Sequence, residues 1–201
     1  MKIVHLIAGI ALSATPSLAE ETTQLDAHEH GVGQLNIAFD ENKIAMELHA
    51  PGADIVGFEY GAKSDADLAA IDAALKTLSD PLGIFLIPKA ASCIVITAQA
   101  KLESEDSDHD EEGHDDHDEE GHDDHDEEGH DDHDEAPGHT EFHAEYLLEC
   151  ANLTEISAIT FPYFDIFPNA LELEVQVISD KGATAFEIER DVAKLDLRGI
   201  F

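Results

Sequence analysis

Apolar and polar side chains alternate in four segments of the chain. Apolar residues fall at every second position in 32–39 and 43–50, and again in 171–179 and 184–190. A period of two is typical of strands that bury one face. A short polar turn separates the members of each pair, so each pair predicts an antiparallel hairpin.

The period changes to that of a helix between residues 64 and 79. Ser64 is a typical N-cap, Asp65 and Asp67 suit the first turn, and Pro81 follows the end. One face of this helix carries Leu68, Ile71, Leu75 and Leu78. Hairpins with one clear helix between them predict an α+β fold with a mainly antiparallel sheet.

Two further predicted strands, 92–102 and 140–150, flank a long polar stretch and carry the two cysteines of the chain. Cys93 and Cys150 lie equally far from the inner ends of these strands, which favours a hairpin closed by a disulfide. Two separate buried thiols are the alternative. In an antiparallel ladder the bonded register predicts three pairs: Val95–Leu148, Thr97–Tyr146 and Lys101–Phe142.

The polar stretch, 103–138, is an insert with nothing apolar to pack. Its first 33 residues hold 21 acidic side chains and seven histidines in an eight-residue repeat that begins at His109. Such a composition predicts a long disordered segment. Alternating spacings of five and three residues separate the repeat histidines: His109, His114, His117, His122, His125, His130 and His133.

The chain of 201 residues carries 46 acidic against 10 basic side chains, a formal charge of −36. Nucleic acids and anionic membranes are bound through Lys and Arg, so we expect neither as a partner. Cations are the natural partners instead. Outside the insert, the length and apolar content suit one domain, 20–201.

Residues 1–19 have the three regions of a cleavable signal peptide. Lys2 precedes an apolar run, and small residues end the segment at Ala19. The run is too short to span a bilayer, and no later segment is suited to membrane insertion. An N-terminal core helix is the alternative. We expect export to the periplasm, with cleavage after Ala19.

Three groups of residues have the donors that zinc prefers, which are imidazole and carboxylate. The first is the repeat, whose alternative role is a plain solvating loop. The second is His28, Glu29 and His30, or else a flexible tail. The third is His139, Glu141, His143 and Glu145, which share one face of a strand and are otherwise a polar surface. We assign His49 as a surface histidine.

Catalytic motifs are not found in the sequence, and a mobile repeat does not hold groups in the geometry that catalysis needs. We therefore expect no enzyme, and a zinc hydrolase is the weakest of the alternatives considered.

Characteristic segments extend over essentially all of the mature chain, at 28–31, 51–59, 91–93, 139–146 with Cys150, 161–168 and 171–178. Together these segments resemble the ZrgA-type periplasmic zinc-uptake proteins. Tyr60 stands where that pattern leads us to expect His.

The resemblance implies export, zinc binding and a role in zinc acquisition. The leading hypothesis is a protein that captures Zn²⁺ in the periplasm and supplies an uptake system, with a membrane zinc transporter as a partner. A periplasmic buffer against excess zinc, copper or nickel is the alternative. Cu²⁺ and Ni²⁺ are also expected to bind in vitro, because imidazole sites discriminate poorly among these ions.

Overall fold

The computed structural model describes residues 29–104 and 139–200. The predicted signal peptide, His28, and the insert from 105 to 138 with its seven repeat histidines lie outside the described residues. Strands in chain order are β1 Val32–Asp40, β2 Lys43–Pro51, β3 Cys93–Ser104, β4 Thr140–Cys150, β5 Ala158–Thr160, β6 Glu172–Ser179, β7 Gly182–Glu189 and β8 Lys194–Asp196. Helices are α1 Gly52–Ile55, α2 Asp65–Leu78, α3 Pro81–Ile84 and α4 Tyr163–Ile166.

Six strands form one sheet in the order β3-β4-β2-β1-β6-β7, and β5 pairs with β8. The two predicted hairpins, β1–β2 and β6–β7, are confirmed. They are joined side by side through β1 and β6, which run parallel, with Val32 paired to Glu172. This parallel pair departs from the hairpin-only arrangement that we predicted. The described part of the chain is mostly β-sheet with few helices and one disulfide.

The disulfide between Cys93 and Cys150 is confirmed, and it closes the open end of the β3–β4 hairpin. Val95 pairs with Leu148 as predicted. A bulge between Val95 and Thr97 then shifts the register by one residue, because one extra residue of β3 is left unpaired. The two other predicted pairs, Thr97–Tyr146 and Lys101–Phe142, are therefore wrong. Thr97 faces Leu147, and Lys101 faces His143.

Strand β3 also continues through Glu103 and Ser104, two residues into the segment that we assigned to the insert. Ser104 pairs with Thr140, so the ladder extends to the last described residue before 105. Consequently, Glu103 belongs to the sheet, where it lies opposite Glu141.

The core lies on one face of the large sheet. Helix α2 begins after Ser64, which is its N-cap as predicted, and Asp67 completes a capping box with Ser64. Ile71 and Leu78 are buried, whereas Leu68 is exposed although we placed it on the same face. The aromatic residues after β5 fill the core: Phe161, Tyr163, Phe164 and Phe167 are buried.

The opposite face of the sheet is polar and faces solvent. Along β4, buried residues alternate with outward ones, so Glu141 and His143 lie on the outer face. His49 and Glu47 lie on the same face of β2. Among the described residues, every helix is too short or too polar to cross a membrane.

Candidate metal centre

Strand pairing brings distant donors together at one end of the outer face. The antiparallel register of β2 with β4 places His49 opposite His143. The register of β3 with β4 places Glu103 opposite Glu141. Since Glu141 and His143 are two residues apart on one strand, their side chains project to the same side. We call His49, Glu141 and His143 the sheet site.

The sheet site is tight enough to share one ion. Its three candidate ligand atoms lie within 4.8 Å of one another. Nδ1 of His49 is 3.4 Å from Oε2 of Glu141, and Nε2 of His143 contacts that same oxygen. The two imidazole rings are 4.1 Å apart between centroids. Zinc bonds of about 2.0–2.2 Å from imidazole and carboxylate would need only a small opening of this arrangement.

Two more carboxylates border the sheet site. Oε1 of Glu47 is 3.2 Å from Nε2 of His49, and Oε2 of Glu103 is 3.2 Å from Nε2 of His143. Both are about half exposed, while Glu141 is 13% exposed. A metal-bound histidine usually donates its other N–H to a carboxylate, and that contact fixes the ring. Glu47 is placed for this role toward Nε2 of His49, whose Nδ1 faces Glu141, whereas Glu103 contacts the same nitrogen of His143 as Glu141 does.

The protonation of His49 depends on these carboxylates. Its hydrogen bond with Glu141 raises the pKa of His49, the bond with Glu47 adds to this, and burial acts against both. The hydrogen bond with His49 in turn lowers the pKa of Glu47. Because only neutral imidazole binds a metal, a proton competes for His49 in mildly acidic solution.

A second group joins His30 and His139 through Glu59. Nε2 of His30 and Nδ1 of His139 are each 2.9 Å from Oε2 of Glu59. Burial acts to raise the pKa of Glu59, but the hydrogen bonds with His139 and His30 outweigh it, and the pKa is lowered. We call these three residues the Glu59 cluster.

The structure separates the ligand candidates that sequence analysis grouped together. His143 and Glu141 belong to the sheet site, whereas His139 and His30 belong to the Glu59 cluster. Glu29 and Glu145 are exposed and are in neither group.

His49, Glu59 and Glu103 were missed as candidate ligands. For His49 the missing information was the pairing of β2 with β4, because His49 and Glu141 are 92 residues apart in the chain. The segment 51–59, one of those that carry the resemblance, ends at Glu59 and was the available signal for that residue.

Two imidazoles and a carboxylate on neighbouring strands, with further carboxylates beside them, define a protein suited to bind a divalent transition metal. A family model described as ZrgA family zinc uptake protein matches residues 27–197, and the chain belongs to that family. The resemblance inferred from sequence is thereby confirmed, and with it a zinc-related role. The family is one of uptake proteins rather than of enzymes. A search of curated proteins found no match.

Proposed function

We propose that the protein is exported to the periplasm, captures Zn²⁺ there and supplies it to a zinc uptake system. The observation that carries the proposal is the sheet site of His49, Glu141 and His143 in a chain of a zinc uptake family. The signal-peptide pattern of residues 1–19 supports export.

In this proposal zinc is the cargo of the sheet site. Nδ1 of His49, Nε2 of His143 and a carboxylate oxygen of Glu141 are the three ligands, because these atoms already converge. Glu47 accepts a hydrogen bond from Nε2–H of His49, and this tautomer leaves Nδ1 of His49 free for the metal. Glu103 or a water molecule completes four-coordination. Both histidines are on paired strands, so little ordering is needed when zinc binds.

The repeat has a different task in the same proposal. Its seven histidines and many carboxylates attract zinc and raise its concentration around the domain. Each repeat site is weaker than the sheet site, because a flexible chain loses conformational entropy when it wraps an ion. Ions are therefore exchanged readily in the repeat and held longer on the sheet.

Growth of a deletion strain distinguishes supply from buffering. The strain is complemented with wild type or with the double variant H49A/H143A, and is grown with a zinc chelator or with excess zinc. We expect the double variant to fail only under chelation. E145Q is the matched control, since it removes a charge from the same face. Failure only in excess metal would favour the buffer.

A further inference from the structure

The Glu59 cluster is built from three separate parts of the chain. His30 lies in the turn that leads into β1, and Glu59 lies in the loop after α1. His139 is the first described residue after the repeat and precedes β4. Side chains from such distant segments meet only in the folded protein, so this arrangement is a product of the fold.

One carboxylate serves two imidazoles in this cluster. Oε2 of Glu59 is 2.9 Å from a ring nitrogen of His30 and 2.9 Å from one of His139. The other oxygen, Oε1, is buried and has no hydrogen-bond partner among the described residues. The side chain of Glu59 is only 13% exposed. A buried carboxylate oxygen without a partner is costly unless a cation satisfies it.

The backbone beside His30 is firmly held. The N–H of Gly31 donates to Oδ1 of the buried Asp54 at 2.7 Å. The carbonyl of Gly31 accepts hydrogen bonds from the N–H groups of Leu171 and Glu172, both at 2.8 Å. Gly31 has φ +90°, a conformation that favours glycine. His30 therefore starts from a fixed backbone position although its side chain reaches into solvent.

We infer that His30, Glu59 and His139 form a second Zn²⁺ site, distinct from the sheet site. The ion binds Nε2 of His30, Nδ1 of His139 and the carboxylate of Glu59, and water fills the remaining position. The inference rests on the proposed function for the identity of the ion as zinc. His139 follows residue 138 directly in the sequence. Of the two sites, this one therefore adjoins the insert along the chain.

Histidine footprinting tests the site residue by residue. The full mature chain is treated with diethyl pyrocarbonate, which modifies free imidazole, in buffers of defined free Zn²⁺, and peptides are read by mass spectrometry. We expect zinc to protect His30 and His139 together, with one common midpoint. In E59Q that midpoint moves to at least about tenfold higher free zinc, while the midpoints of His49 and His143 stay unchanged.

Each variant is compared with and without zinc, so that an altered reactivity of the free imidazole is not mistaken for metal binding. E145Q, an exposed carboxylate on β4, is the control and leaves all four midpoints unchanged. If E59Q does not fold, H30Q replaces it, since that side chain is 66% exposed. We then expect His139 to lose its protection at the wild-type midpoint.

Three outcomes separate this inference from the proposed function. Protection of all four histidines, with the E59Q shift confined to His30 and His139, supports both. If His30 and His139 react equally with and without zinc while His49 and His143 are protected, the second site is refuted alone. If His49 and His143 also stay reactive, the sheet site of the proposed function fails as well.

Discussion

Glu47 provides a sharp test of the sheet site, because it contacts a candidate ligand without being one. The variant E47Q keeps the size of the side chain and removes its charge. Oε1 of Glu47 lies 3.2 Å from Nε2 of His49, the nitrogen that faces away from Glu141. Loss of such a carboxylate weakens metal affinity about 10–100-fold. Because Glu47 is 49% exposed, we expect the lower end of this range, a zinc affinity weaker by about tenfold, or about 1.4 kcal/mol.

The effect of E47Q should depend on pH with a definite sign. Glu47 and Glu141 both raise the pKa of His49 in the metal-free protein. As the pH falls, the zinc affinity of the wild type therefore decreases more than that of E47Q. The reason is that the variant lacks one of the two carboxylates that favour the imidazolium form of His49. We expect the tenfold difference at pH 7.5 to narrow as the pH falls to 5.5.

Long-range ¹H–¹⁵N spectra of the imidazoles measure both effects in zinc buffers. They report the zinc midpoint of each histidine and also which ring nitrogen carries the proton. With zinc bound, we expect Nε2 of His49 and Nδ1 of His143 to be protonated. E145Q is the control, because Glu145 pairs with Glu47 across β2 and β4 and carries the same charge.

Equal zinc midpoints in E47Q and E145Q would mean that zinc affinity depends only on the negative charge of this sheet face, and not on the contact between Glu47 and His49. Protonation of Nδ1 of His49 in the zinc-bound protein, or a difference that widens in acid, would refute the ligand assignment.

Three further results are expected. Replacing Cys93 and Cys150 by Ala should lower the unfolding free energy by about 4 kcal/mol, because the disulfide closes a loop across a sequence separation of 57 residues. The zinc midpoint of His143 should stay unchanged. Urea unfolding that matches wild type would contradict this. Deleting 105–135 leaves 136–139 to connect Ser104 with Thr140, which pair in the sheet. This deletion should keep cooperative unfolding, remove several zinc ions per chain, and abolish the earlier and larger of two zinc-release steps on acidification; a single unchanged step would contradict it. Burial raises the pKa of Asp54 to about 6, so its ionisation lowers stability as the pH rises from about 4 to 6. D54N should therefore gain roughly 2 kcal/mol at pH 7 over pH 4 relative to wild type, measured on the zinc-free protein, and no gain would contradict that.

Local patterns were sufficient for the elements that form from neighbouring residues. The β1–β2 and β6–β7 hairpins, helix α2 and the disulfide follow from period, turn residues and cysteine spacing. The bulge after Val95 was not predictable, because Ile94, Val95 and Ile96 are all apolar and all exposed. A run of that kind gives no period from which to place the extra residue.

The candidate site was only partly predictable, because it depends on the order of strands in the sheet. Glu141 and His143 are apparent from alternation along one strand. His49 joins them through the β2–β4 pairing, which no local signal encodes. Likewise, nothing near His30 or His139 indicates that Glu59 lies between them.

The parallel pairing of β1 with β6 also bears on how fast the chain folds. Val32 and Glu172 are 140 residues apart, and the parallel pairing that joins the two hairpins can form only after both hairpins are present. Contacts so distant in the chain slow folding, because the loop must close before the contacts form. A chain that folds slowly stays unfolded for longer after synthesis. For a protein that we propose is exported, this topology delays formation of the native sheet, and with it of both proposed zinc sites, until β6 is available to pair with β1.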